Sequence, residues 1–306
     1  MTDRDLKVRW FDRGVEALNV ILTPELGDFY VCPLCREPFS REQMESTISF
    51  EHAPPESVGG ARVALTCRPC NNTAGTLLDA RLSRDEITRA FLAGGGLAPG
   101  TVTVAREGVD VRGELSIESG AFSFNAISTQ NDPELLERFR ASAQVWADHA
   151  HGGREMAIRI PVHFNSRRAH LGWLRAAYVA AFACFGYRYA LQPAFEILLE
   201  QFRRPDELLI EPLPLGEDAN LAQDTRRIAF VTEPAVMRCV MVTIGRFTAY
   251  LPAERDDTFF QEFVARMNAA YELVGESTGP TPTLVVEMAD YPWPTEPLYL
   301  WDGPRS

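Results

Sequence analysis

Residues 32–35 read CPLC and residues 67–72 read CRPCNN, and these two stretches decide the fold of the first part of the chain. Each holds a Cys-x-x-Cys pair, a spacing at which one turn of backbone offers both sulfurs to the same ion. The four cysteines are therefore predicted to form one closed, tetrahedral zinc site of the structural type: Cys32, Cys35, Cys67 and Cys70. The alternatives are a redox-active pair or two unrelated pairs.

The composition of the whole chain places it among ordinary globular proteins. It has 306 residues, of which 46% are apolar and 24% are charged, and these values are typical of soluble domains. The formal net charge of −12 argues against nucleic-acid binding through a broad basic surface. Residues 150–204 carry eight arginines against three glutamates, so a local basic groove is compatible with the sequence.

No segment of the sequence is typical of a membrane or secreted protein. The first residues are charged and lack the apolar core of a signal peptide. The most apolar stretch, residues 176–186, is too short to cross a bilayer and predicts a buried helix instead. Paired cysteines in such a chain favour zinc over disulfides. We therefore expect a cytoplasmic protein without a membrane partner, and the sequence leaves its oligomeric state open.

The segment between the two cysteine pairs is predicted to be a β-hairpin that leads into a helix. Residues 47–50 alternate polar and apolar side chains, as a half-buried strand does. The proline pair that follows ends this strand, because proline lacks the backbone donor. A glycine pair turns the chain, residues 62–66 return as the second strand, and a helix is predicted over residues 70–81.

A run of three glycines at residues 94–96 is the best candidate for a domain boundary. It divides the chain into a zinc module with a leading helix, residues 1–93, and a larger part, residues 97–306. A capping box that begins at Ser83 is expected to open the last short helix of the module. Beyond the glycines, alternation over residues 109–117 and strand-like runs at residues 156–163 and 283–288 predict strands, and Asp132 is the expected N-cap of a helix between them. Strand-like runs broken by helical segments predict a mixed domain. The predicted fold class is therefore α+β, with a small zinc-stabilised ββα module followed by a larger α+β domain.

Three stretches around the cysteine pairs resemble the HNH endonuclease family. They are SFEHAPP at residues 49–55, the glycine pair at residues 59–60 and LTCRPCNNTAG at residues 65–75. The resemblance covers residues 30–82, about a sixth of the chain. It implies a treble-clef module of the ββα-metal nuclease type, with structural zinc and a catalytic Mg²⁺ or Mn²⁺. The implied activity is the hydrolysis of phosphodiester bonds in nucleic acid, with DNA as the expected substrate.

Three residues within this resemblance are the candidate catalytic residues. His52 can act as the general base that activates water, because imidazole exchanges protons near cellular pH. Glu51 offers a hard carboxylate oxygen to a divalent ion, and the resemblance assigns an oxygen ligand to Asn71 as well. Adjacent residues in a strand face opposite ways. We therefore expect Glu51 and His52 to converge on one cleft only because the strand ends there.

One position departs from the family pattern. The middle asparagine of the motif usually lies shortly before the second cysteine pair, but residues 61–66 read ARVALT. Asn72 or Asp79 is a possible substitute for the residue that orients His52. This departure and the acidic balance of residues 1–92 favour an alternative function, a non-catalytic zinc-binding module that recognises nucleic acid or protein.

The remaining candidates also have ordinary structural explanations. A lone histidine is commonly a surface residue, and an asparagine at a helix start is commonly a cap. Asp79 is equally explained as a solvated helix residue. Further along the chain, Arg168, His170 and Arg175 either form a basic edge for phosphate or belong to a core helix whose arginines reach solvent. The sequence favours the core helix. Because residues 97–306 carry no catalytic motif, we expect them to select the substrate or the partner.

Overall fold

The computed structural model describes residues 1–22, 27–148, 157–160, 166–253, 260–275 and 286–302. Its helices are Asp3–Ile21 (α1), Met44–Thr47 (α2), Arg68–Ala74 (α3), Ala80–Leu92 (α4), Pro133–Asp148 (α5), Ser166–Phe185 (α6), Tyr187–Ala190 (α7), Glu196–Arg203 (α8) and Phe260–Gly275 (α9). Its strands are Phe29–Val31 (β1), Pro38–Ser40 (β2), Ile48–Ala53 (β3), Ala61–Cys67 (β4), Gly96–Leu97 (β5), Val102–Arg106 (β6), Val109–Glu118 (β7), Ala121–Ala126 (β8), Ala157–Arg159 (β9), Leu215–Glu217 (β10), Arg226–Glu233 (β11), Cys239–Ile244 (β12), Phe247–Leu251 (β13) and Glu287–Tyr291 (β14). The predicted α+β class is confirmed.

The chain folds into two compact units. The first combines residues 1–82 with residues 167–306, and the second is the segment between them, residues 83–166. This division differs from the predicted boundary at the glycine run, residues 94–96. In sequence, the second unit is therefore an insertion between the two segments of the first.

An uninterrupted helical stretch explains why the glycine run does not mark the division. A π-helical turn, Gly75–Asp79, joins α3 directly to α4, so the backbone stays helical from Arg68 to Leu92. The boundary between the first unit and the second, between Leu82 and Ser83, lies inside this helical stretch. Ser83 lies within α4, so the helix start predicted from its capping box is wrong.

The first unit contains three antiparallel sheets and a helix that is buried over most of its length. Strands β1 and β2 pair, β3 and β4 pair, and five strands form a sheet in the order β10-β13-β12-β11-β14. Every residue from Ala176 to Phe185 in α6 is buried, which confirms the predicted core helix. One apolar core joins α1, the cysteine segment, α6 and the five-stranded sheet. The zinc module and the last third of the chain therefore share a single core.

The second unit has its own core and its own antiparallel sheet. The strands run in the order β5-β7-β6-β9, with β8 also paired to β7. Alternate residues of β7 are buried, as the sequence pattern predicted. Asp132 accepts a hydrogen bond from the backbone N–H of Glu134, which confirms it as the N-cap of α5. The core is formed by apolar side chains of α4, α5 and the sheet.

Two predicted strands fall partly outside the described residues. Of the strand predicted over residues 156–163, the structure describes 157–160, where β9 lies. Of the strand predicted over residues 283–288, it describes 286–288, and β14 begins at Glu287. No helix among the described residues has the length and hydropathy needed to cross a membrane.

Candidate metal centre and active site

The four cysteines of the two pairs converge on one point. Their sulfur atoms all lie within 4.8 Å of one another, and the sulfurs of Cys35 and Cys67 are 3.7 Å apart. A tetrahedral ion with bonds of about 2.3 Å to sulfur requires neighbouring sulfurs about 3.8 Å apart. The observed spacing fits that requirement, so the cluster can hold a zinc ion.

Local backbone geometry explains how the first pair reaches this point. Cys32 follows β1, and its carbonyl accepts a hydrogen bond from the backbone N–H of Arg36 at 2.8 Å. Arg36 adopts a left-handed conformation, with φ 62°, which reverses the chain so that β2 can pair with β1. The second pair lies at the end of β4 and in the first turn of α3, where Pro69 is accommodated because the first helical turn needs no donor.

The thiols are electrostatically coupled to one another. Burial raises the pKa of Cys32, which is completely shielded from solvent. Hydrogen bonds from the neighbouring thiols lower the pKa of Cys35, because they stabilise its thiolate. A cluster in which thiols stabilise a neighbouring thiolate can bind a divalent ion with release of protons.

The two central candidates are neighbours in β3, beside a bulge in the β3–β4 hairpin. Glu51 pairs with Ala64, but the next residue, His52, pairs with Arg62, so β4 has one extra residue at Val63. Glu51 is 2% exposed, whereas the side chain of His52 is 27% exposed. The strand runs on to Ala53, so it does not end at His52, and the two neighbours differ in burial as adjacent residues of a strand do.

Glu51 is held by two partners inside the protein. Thr66 donates a hydrogen bond from Oγ1 to Oε2 of Glu51 at 2.7 Å, and Nη2 of Arg175 lies 2.9 Å from Oε1. Arg175 belongs to α6 and is 3% exposed. In this conformation the carboxylate faces a guanidinium, where the sequence predicted a divalent ion.

Asp79 completes this buried charge cluster. Nη1 of Arg175 lies 3.7 Å from Oδ1 of Asp79, so one guanidinium faces two carboxylates. Burial raises the pKa of Asp79, and the negative charge of Glu51 raises it further, while Arg175 opposes both effects. The interpretation of Asp79 as a solvated helix residue is therefore wrong, because its side chain is only 17% exposed.

Asn71 ties the first turn of α3 to the hairpin. Its Nδ2 donates hydrogen bonds to the carbonyl of Phe50 and to Oγ of Ser49, both at 3.0 Å. These bonds fix the plane of the carboxamide one residue away from Glu51. Within the described part of the chain its Oδ1 accepts no hydrogen bond, so this oxygen is available to a ligand.

His52 lies in a more polar and more exposed environment. Its Nε2 is 3.9 Å from Oε2 of Glu56, an exposed carboxylate in the connection between β3 and β4. Across the hairpin, Arg62 forms two hydrogen bonds with Asp3 and stacks on Phe50, with 4.5 Å between its guanidinium carbon and the ring centroid. The region around His52 therefore has charged groups of both signs that water can reach.

The arginines of α6 are paired, which agrees with the core-helix interpretation. Arg168 forms two hydrogen bonds with Asp206, and Arg167 forms an ion pair with Glu211 at 2.6 Å. Together with the buried Arg175, these contacts leave no basic edge on this helix like the one considered from the sequence.

The sequence identified the cysteine cluster, but it did not identify the partners of Glu51. Thr66 lies in the quoted motif but has no role in the resemblance, and Arg175 lies outside the motif, so neither was assigned to Glu51. A signal was present, since Arg175 is a single cation immediately before the most apolar stretch of the chain. Such a cation in a core helix requires a buried anionic partner.

Within the described residues, the four cysteines are the one group of three or more acidic, histidine or cysteine side chains close enough to hold a metal ion. Searches against family models, curated proteins and solved structures found no match to the chain. The HNH resemblance and the treble-clef assignment therefore remain predictions from the sequence.

Proposed function

We propose that the chain is a metal-dependent endonuclease of the HNH type that hydrolyses phosphodiester bonds in nucleic acid. The observation that carries this proposal is the bond from Asn71, at the start of the helix on the cysteine cluster, to the carbonyl of Phe50 in the hairpin. It links the helix to the strand that bears Glu51 and His52. The three candidate residues are thus held on one small framework.

His52 is the proposed general base. Its partly exposed imidazole can take a proton from a water molecule, which then attacks the phosphorus. Glu56, at 3.9 Å, stabilises the imidazolium that forms when the proton is taken up. The side chain of His52 is 27% exposed, so a nucleic-acid backbone can approach the ring.

The proposed site for the catalytic ion is only partly matched by the observed contacts. A bound Mg²⁺ or Mn²⁺ would offset the charge that develops on the phosphate oxygens. Oδ1 of Asn71 is a suitable hard ligand, and its orientation is fixed by the donors of the same carboxamide. Glu51 does not fit in the observed conformation, because Thr66 and Arg175 occupy its two oxygens.

Arg226 is the proposed phosphate contact beside the hairpin. Its guanidinium donates to the carbonyls of Gln223 and Thr225 and lies 3.5 Å from the carbonyl of Gly59, in the β3–β4 connection. Among the described residues no carboxylate lies within ion-pair distance of it. A cation whose local partners are neutral carbonyls can bind phosphate without first leaving another anion.

The second candidate is a zinc-binding module that recognises nucleic acid or protein without cutting it. The pairing of Glu51 with Arg175 favours this function, because a carboxylate neutralised by a buried guanidinium is not free to bind an ion. It predicts that no nicks accumulate with any divalent ion.

The deciding experiment is cleavage of supercoiled plasmid with Mg²⁺ or Mn²⁺, comparing wild type with His52→Ala. His170→Ala is the matched control, since His170 lies on α6 and packs against Phe247. We expect wild type and the control to nick the plasmid, and the rate with His52→Ala to fall by a factor on the order of 10²–10⁴. Undiminished cutting by a folded, zinc-loaded His52→Ala protein would remove the assigned base.

A further inference from the structure

The observation behind the inference is the shared guanidinium of Arg175. Nη2 faces Glu51 at 2.9 Å and Nη1 faces Asp79 at 3.7 Å, so each carboxylate has its own nitrogen. The side chains of Arg175 and Glu51 are both 3% exposed. The shorter contact shows that Glu51 is the principal partner and that Asp79 is the second.

This cluster has more negative than positive charge when both carboxylates are ionised. Two buried anions and one cation leave a deficit of one positive charge, which is costly in a site with little access to water. Asp79 reflects that cost, because burial raises its pKa and Glu51 adds to the effect. A divalent cation at Glu51 would turn this deficit into an excess of one positive charge, and Arg175 would then neutralise Asp79.

We infer that Arg175 and a divalent cation compete for Glu51, and that Asp79 holds Arg175 when Glu51 is released. Arg175 and Asp79 are thus positioning residues, which act on the ion through Glu51. The inference rests on the proposed function, because it takes Glu51 as a ligand of the catalytic ion. In the observed state Arg175 occupies Oε1, and binding of the ion requires Glu51 to change its rotamer.

The competition predicts effects of opposite sign on ion binding. Asp79→Asn removes the second partner of Arg175, so the guanidinium stays on Glu51 and the ion binds more weakly. Arg175→Met removes the competitor, so the ion binds more tightly. We expect each change to alter the dissociation constant for Mn²⁺ at least about tenfold, and Glu51→Gln to abolish the binding. A purely structural role would instead weaken binding in all three variants.

The experiment titrates zinc-loaded full-length protein with Mn²⁺ and follows the free ion by electron paramagnetic resonance, so its readout does not depend on cleavage. Arg168→Met is the matched control, because Arg168 lies on the same helix and pairs with Asp206 outside the cluster. We expect this control to bind Mn²⁺ as wild type does. Zinc content and thermal unfolding establish that each variant is folded.

A double variant keeps the test decisive if Arg175→Met does not fold. Asp79→Asn/Arg175→Met buries one carboxylate fewer, and we expect it to bind Mn²⁺ at least about tenfold more tightly than Asp79→Asn alone. Equal affinities in these two proteins would overturn the inference, as would a lack of Mn²⁺ binding by every folded variant. Altered Mn²⁺ affinity without any plasmid cutting would instead refute the proposed nuclease and leave the competition standing.

Discussion

Replacing Arg175 by methionine should destabilise the first unit strongly. At the observed 2.9 Å from Glu51, the attraction between unit charges is about 6 kcal/mol for an effective dielectric constant of about 20. Desolvation offsets part of this attraction, but removing one partner leaves the other charge buried. The expected loss in the free energy of unfolding is therefore about 3–5 kcal/mol. The measurement is urea denaturation with zinc present, followed by the fluorescence of the tryptophans, one of which, Trp173, is on the same helix and buried.

The neutral partner variant separates the charge effect from lost packing. In Arg175→Met/Glu51→Gln the unpaired carboxylate is replaced by a neutral amide. The loss in the free energy of unfolding should therefore be smaller, by at least about 1 kcal/mol, than the sum of the losses in the two single variants. If Arg175→Met costs less than about 1 kcal/mol, or if the double variant shows simple additivity, the buried ion pair does not stabilise the fold as argued. The control Arg168→Met removes a more exposed pair, and should cost no more than about 1 kcal/mol.

Two further predictions concern the cysteine cluster and the end of the described chain. Cys67→Ser should release zinc and lower the unfolding temperature, because it removes a ligand at the junction of β4 and α3. The control Cys184→Ala should retain zinc, since Cys184 lies in α6 outside the cluster. Metal analysis and thermal scanning check both variants. Asp302 accepts hydrogen bonds from the backbone N–H groups of Tyr187 and Arg188, and burial raises its pKa from 3.8 to about 6. The folded state therefore holds this proton more tightly than the unfolded state. Protonated Asp302 contributes about 3 kcal/mol to the free energy of unfolding below pH 4, and this contribution is lost as the pH rises to about 6. Asp302→Asn should thus match wild type near pH 4 and be more stable above pH 6 in urea denaturation; a constant difference across this range would contradict the assigned pKa.

Local patterns were sufficient for the elements whose formation depends on neighbours in sequence. The hairpin between the cysteine pairs follows from alternation and from the prolines and glycines that bound it. The buried helix α6 follows from its unbroken apolar run between Ala176 and Phe185. The clustering of four sulfurs follows from the two Cys-x-x-Cys spacings, because each turn presents its sulfurs in one direction.

The parts that escaped prediction depend on pairings between distant segments. The bulge at Val63 carries no sequence mark, since residues 61–67 would also form a regular strand. Ser83 has the pattern of a capping box, but residues 76–82 contain neither proline nor glycine, so the helix continues through it. The ion pair of Glu51 joins residues far apart along the chain, and no local periodicity encodes it.

These distant pairings also decide how far the motif alone can indicate activity. The cysteine cluster fixes the end of β4 and the start of α3, and Asn71 extends that constraint to Phe50. Arg175 then fixes Glu51 from a helix of the same core. Because the cluster sets the framework and Arg175 sets the availability of the carboxylate, two chains with the same motif can differ in ion binding through one residue outside it. Under the proposed function, activity therefore depends on the core that surrounds the motif as well as on the motif itself.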